Sequence, residues 1–168
     1  MAGSCARGGS VRHRAARQPP LRSAVEARAC LAGLLDGTVD AVATDHAPHS
    51  QVDKDVEFGL ARPGIAGFET ALGVLLEAVD AGLLPLARAI EVLTVGPARV
   101  LGRPGGSPGL VEGAPADLVV VDRGARWSVD AGTLRTRGWG NPLLSRSLPG
   151  MVLLTVAGGR LAYEVDEP

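Results

Sequence analysis

Aromatic side chains are almost missing from this sequence: two Phe, two Trp and one Tyr make up 3% of 168 residues. Any core must therefore be built from Ala, Val and Leu, which bury less area apiece and so need many partners. Cysteine is equally scarce. Cys5 and Cys30 stand far apart and form no C-x-x-C, which argues against a disulfide framework or a structural zinc site and makes a reducing cytoplasm the expected setting. No run of about 18 apolar residues occurs, so no membrane-spanning helix is expected. Lys54 is the only lysine among 17 basic residues, a bias toward Arg that fits a skewed base composition of the gene. With 46% hydrophobic and 21% charged residues and a formal net charge of -1, the chain has the composition of a folded protein.

Residues 1–17 (MAGSCARGGSVRHRAAR) have no hydrophobic periodicity and read as a disordered, non-homologous tail. All five charges in the first 25 residues are positive, which leaves the remainder acidic. An acid-free, Arg-rich start has the look of a transit peptide, and Arg12, His13 and Arg14 suit phosphate contacts. No aromatic platform accompanies them, so no nucleic-acid partner is expected.

Order begins near Gln18. Pro19-Pro20 enforces an extended approach, Ser23 and Glu26 form a capping box, and Val25, Ala29, Leu31, Leu34 and Leu35 give a helix an apolar face up to about Asp36. Gly37 stops it. Thr38 to Thr44 (TVDAVAT) then reads as a short buried parallel strand. After a charged loop over 50–59 and Pro63-Gly64-Ile65-Ala66-Gly67 comes an amphipathic helix with Phe68, Ala71, Leu72, Leu75, Leu76 and Val79 on one side, closed by Gly82. Two shorter helices come next, over Leu86 to Leu93 and Pro97 to Leu101, separated by Gly96-Pro97. A Gly/Pro-rich hinge, Gly102 to Gly109, ends the helical region. Beyond it lie Ala116 to Asp122 as a core strand, Arg126 to Val129 as a short edge strand, and a hairpin of Met151 to Ala157 and Arg160 to Glu164 around Gly158-Gly159. The fold class is thus α/β with a small β module after it, divided into a tail over 1–17, an αβ segment over 18–104 and the module over 105–168. So small a module needs the preceding part to pack against.

Thr44-Asp45-His46-Ala47-Pro48-His49 comes directly after the strand, at the end where (β/α) barrels keep their active sites. A carboxylate there can bind a metal with one oxygen and take a proton from metal-bound water with the other, while a histidine four residues on can hold an anionic group. An Asp in a loop is also a common turn residue, and Pro-Gly pairs such as Pro63-Gly64 usually only turn the chain. His46 is read as structural.

ATDHAPH, preceded by PPLR and followed by PGIAGFET, resembles the dihydroorotase family of the amidohydrolase superfamily. GxPADLVVVD, Asn141-Pro142-Leu143-Leu144 and VLLTVAGGRLAYE resemble its later motifs, in order, so the likeness runs from about Gln18 to Glu164. The resemblance implies the C-terminal part of a (β/α)8 TIM-type barrel, with its final strand at Val39 to Thr44, joined to the composite β-sandwich module of amidohydrolases. It implies zinc-dependent, reversible hydrolysis of dihydroorotate to carbamoyl aspartate. On that basis Asp45 is the catalytic residue and a metal ligand, His49 binds the substrate carboxylate, Pro63 and Gly64 contact the ring, and Gln18 stands where the family has Asn.

The family's H-x-H, its bridging carboxylate or carboxylated lysine, and its two further histidines have no counterpart here. His13 lies in the tail, and Lys54 is placed in a loop where it cannot replace a bridging ligand. The loss of similarity upstream of Gln18 fits a gene fragment, a shifted reading frame or a wrongly chosen start. Little or no activity is expected of the chain alone. Related readings are an allantoinase or hydantoinase, and a non-catalytic subunit that scaffolds aspartate transcarbamoylase; a homo-oligomer is a further expected partner state.

Overall fold

The computed structural model of the chain describes residues 20, 22–103 and 109–165. The tail over 1–17, Gln18 and the middle of the hinge lie outside the described residues. The elements run α1 (Ala24–Asp36), α2 (Gln51–Lys54), α3 (Phe68–Asp80), α4 (Leu86–Glu91), α5 (Val95–Val100), β1 (Leu118–Ser128), β2 (Ser147–Ala157) and β3 (Arg160–Glu164).

Helix α1 starts and stops where its caps dictate. Ser23 and Glu26 form the reciprocal capping box, and Gly37 closes the helix at φ 85°. Its apolar face is less covered than its pattern suggests. No residue of α1 is fully buried and Val25 is 72% exposed, because only Leu31 and Leu34 reach the cluster of Leu75, Leu84, Ala89 and Val92.

Residues 38–44 correct the expectation of a buried strand. They belong to no strand and are at most half-buried. A parallel strand needs ladder partners, and among the described residues 38–44 have none. The segment is held from one side instead. Val42 N–H donates to Val92 O (2.9 Å), and Arg88, ion-paired with Glu91 at 2.7 Å, donates to Leu34 O (2.6 Å) and Val39 O (2.7 Å). Gly96 lies so close to Asp40 O that a Cβ there would collide with it. This close approach also corrects the helix boundary: α5 begins at Val95, so Gly96-Pro97 sit in its first turn, where a missing N–H is not felt.

The charged loop contains an unanticipated turn of helix. Ser50 and Asp53 make a second capping box and start α2. Helix α3 buries Thr70, Gly73, Leu75 and Leu76 but leaves Phe68 67% exposed, contrary to its expected place on the apolar face. Gly82 closes the end of α3 at φ 68°, with Gly82 N–H on Val79 O and Leu83 N–H on Ala78 O, both 2.9 Å.

The β module is one antiparallel sheet in the order β1-β2-β3. The two expected strands at 116–122 and 126–129 are a single strand, β1, interrupted by a bulge. Asp122 Oδ1 accepts from Gly124 N–H (2.8 Å) and Ala125 N–H (3.2 Å), which absorbs the extra residues. Nor is it a core strand: Val119 and Val120 are exposed. The β2-β3 hairpin turns at Gly158 (φ 57°) and Gly159 (φ 73°), the two positive φ values of a two-residue turn. The module packs on α3 through Leu148, fully buried against Gly73, and through Gly150 against Leu76. No helix among the described residues is long and apolar enough to cross a membrane.

Gly96→Ala is expected to destabilise the chain by about 1 to 3 kcal/mol or more, since a methyl group must displace the Asp40 carbonyl. The denaturant midpoint measures this, and an unchanged midpoint would show that 38–42 does not rest on α5.

Candidate active site

Asp45 to His49 leave the unpaired segment through a sharp bend. Asp45 has φ 48°, a left-handed conformation that Asp tolerates better than most residues. Its side chain is exposed. Among the described residues its carboxylate has no hydrogen-bond or ion-pair partner, which leaves both oxygens open to chemistry.

A returning segment, 62–68, holds residues 46–49 in place. His46 and Ile65 form a parallel bridge, and Ala47 N–H donates to Ile65 O (2.9 Å). His46 Nδ1 accepts from Gly67 N–H (3.2 Å) and Phe68 N–H (3.3 Å), so Nε2 carries the proton of a neutral ring. The imidazole therefore caps α3, whose N-cap residue Gly67 has no side chain to do so. It also stacks on Phe68 with centroids 4.0 Å apart. This explains the exposed Phe68 and gives His46 the structural role read from the sequence.

His49 faces the other expected ring-contact residues. Its Nε2 lies 3.1 Å from Pro63 O, which as a carbonyl can only accept. Gly64 adopts φ 143°, and a Cβ there would lie 2.5 Å from Ala47 O and 3.0 Å from His49 Nε2. Only glycine fits. The structure thus brings His49, Pro63 and Gly64 together beside the bend at Asp45; Gln18 lies outside the described residues.

The feature missed in the sequence is Lys54. Its placement in a loop is corrected: it ends α2, is 0% exposed, and donates from Nζ to Arg62 O and Gly64 O, each at 2.9 Å. Burial pulls its pKa below the usual lysine range. Two signals were available, the Ser50-x-x-Asp53 capping box and the isolation of one lysine in an arginine-rich chain.

The β1-β2 connection also reaches the site. Trp139 N–H donates to His49 O (2.9 Å), buried Asn141 Nδ2 donates to Ala66 O (3.0 Å), and Glu69 accepts from the backbone N–H of Arg135 (2.7 Å) and Thr136 (2.9 Å).

Zinc does not fit the donors of the described residues. Among the described residues no three His, Cys, Asp or Glu side chains converge, whereas catalytic zinc normally has about three protein ligands. What these residues present is an exposed carboxylate at Asp45, and an imidazole at His49 held against the 62–64 loop.

The chain belongs to the amidohydrolase family, whose family model matches residues 6–162. Within it, the chain is similar to the dihydroorotase of Anaeromyxobacter dehalogenans (strain 2CP-1 / ATCC BAA-258), 52% identical over 149 residues, or 89% of this chain and 34% of the relative. It is also similar to the dihydroorotase of Syntrophus aciditrophicus (strain SB), 45% identical over 148 residues, with 88% and 34% covered. The chain spans about a third of the length of these curated relatives. Among solved structures it resembles the L-hydantoinase (dihydropyrimidinase) of Arthrobacter aurescens, with TM-score 0.81, 29% identity, and 94% of this chain and 37% of that one covered. The D-hydantoinase (dihydropyrimidinase) of Thermus sp. gives TM-score 0.82 at 24% identity, covering 94% and 35%. The fold is therefore a part of the TIM-barrel amidohydrolase architecture with its small antiparallel sheet.

Two outcomes are expected. His46→Ala should cost about 1 to 2 kcal/mol through loss of the helix cap, read from the denaturant midpoint. Lys54 should resist acylation in the native chain and react only on unfolding, as tracked by mass spectrometry of its peptide; rapid native labelling would contradict its burial.

Proposed function

We propose that this chain supplies the proton-transferring and substrate-contacting part of a dihydroorotase. The observation that carries the reading is the pairing of His49 with the Pro63-Gly64 loop beside the open carboxylate of Asp45, in a chain 52% identical to a dihydroorotase over the same span. In the hydrolytic direction, water oxygen bonds to the carbonyl carbon of the cyclic amide and gives its proton to Asp45. That proton then passes to the ring nitrogen as the C–N bond breaks, yielding carbamoyl aspartate. Proton transfer of this kind contributes roughly 10²- to 10⁴-fold in rate.

His49 orients the substrate. With Nε2–H directed at Pro63 O, the ring donates to a substrate carboxylate through Nδ1 only when both nitrogens are protonated, and an imidazolium suits an anionic ring. The backbone of Pro63 and Gly64 lines the ring's edge. Zinc and the further histidines belong to the resemblance and would be supplied outside the residues described. A cytoplasmic setting agrees with this role. The hydantoinase alternative has support from fold, at 29% identity and a TM-score of 0.81, but the sequence likeness to dihydroorotases is much the stronger.

The test replaces the corresponding third of the Anaeromyxobacter enzyme with this chain. The hybrid should hydrolyse dihydroorotate, Asp45→Asn should lower kcat by about 10²-fold or more, and His49→Ala should chiefly raise KM. A hybrid that cleaves hydantoin but not dihydroorotate would sink the reading. The purified 168-residue chain should show little or no activity by itself, and clear zinc-dependent turnover by it would overturn that expectation.

A further inference from the structure

Three consecutive carbonyls in the 62–64 loop point to two different groups. Arg62 O and Gly64 O each accept from Lys54 Nζ at 2.9 Å, while Pro63 O between them meets His49 Nε2 at 3.1 Å. The two outer carbonyls are anchored on one ammonium, and the Pro63 carbonyl lies in the single residue between them. Loop and helix are also joined the other way, through Arg62 N–H on Asp53 O (3.0 Å). Gly64, at φ 143°, is packed so closely on Ala47 that a Cβ would lie 2.5 Å from Ala47 O.

A buried ammonium is expensive unless its hydrogen bonds are satisfied. Methionine would fill the same volume without that expense, but it could not direct two carbonyls. We propose that Lys54 is a positioning residue: by gripping the carbonyls of Arg62 and Gly64 it aims the Pro63 carbonyl at His49 and holds that imidazole in one orientation for the acidic group of a cyclic substrate. The substrate clause rests on the function proposed above; the effect on His49 does not.

The two parts separate experimentally. Long-range ¹H–¹⁵N spectra of the histidine rings in the purified 168-residue chain should show His49 fixed with its proton on Nε2. Lys54→Met should replace that pattern by averaging between tautomers, while His46 keeps its own. Val92→Ala, in the cluster beneath α4, supplies a loss of stability remote from the loop and should leave His49 unchanged. A folded Lys54→Met chain with an unaltered His49 pattern overturns the proposal, as does the same averaging in Val92→Ala. If Lys54→Met does not fold, the wild type decides, because its single lysine gives a single ammonium signal. An exchange-protected ammonium together with one fixed His49 tautomer supports the proposal, whereas a protected ammonium beside an averaging His49 overturns it. In the hybrid enzyme, Lys54→Met should raise KM for dihydroorotate about tenfold or more and change kcat less. A fixed His49 in the chain with no dihydroorotate turnover by the hybrid would leave the positioning role standing and remove the substrate reading.

Discussion

The pairing of residues 46–49 with the returning segment 63–68 is the constraint on which the site depends. Imidazole and backbone share the work: His46 Nδ1 accepts from the two N–H groups at the α3 start, Ala47 N–H donates to Ile65 O, and His49 Nε2 meets Pro63 O. A carboxylate placed just before this pairing inherits its geometry. Asp45 is held at φ 48° by the anchored residues after it, and its carboxylate has no partner among the described residues. Strain of this kind persists only where the surroundings over-determine it, and here four contacts within a few residues do so.

Local rules were legible in the sequence. Ser23, Glu26 and Gly37 set both ends of α1, Gly158-Gly159 set the hairpin, and Gly82 marked the end of α3. What escaped were features decided by distant neighbours. Thr38 to Thr44 has the composition of a buried strand, yet a strand is defined by its ladder, and no partner for it lies among the described residues. Phe68 looked like a core residue, but its ring stacks on His46, twenty-two positions earlier.

The site was half legible for the same reason. Asp45, His49, Pro63 and Gly64 form motifs short enough to be recognised in a line of text, and His49, Pro63 and Gly64 do meet. Lys54 carries no motif. Its importance arises from two carbonyls eight and ten residues away, and a lysine four residues into a charged stretch is ordinarily a solvated one. Only the capping box at Ser50, by starting a helix, turns it inward.

The first turn of α3 receives His46 from the bend after Asp45 and extends Glu69 to the backbone of Arg135 and Thr136 in the β1-β2 connection. One rigid rod is thus tethered at the same end to both halves of the molecule. Tilting that rod would tug on the bend beside Asp45 and on the sheet connection together, so a disturbance in the module has a mechanical route to the carboxylate.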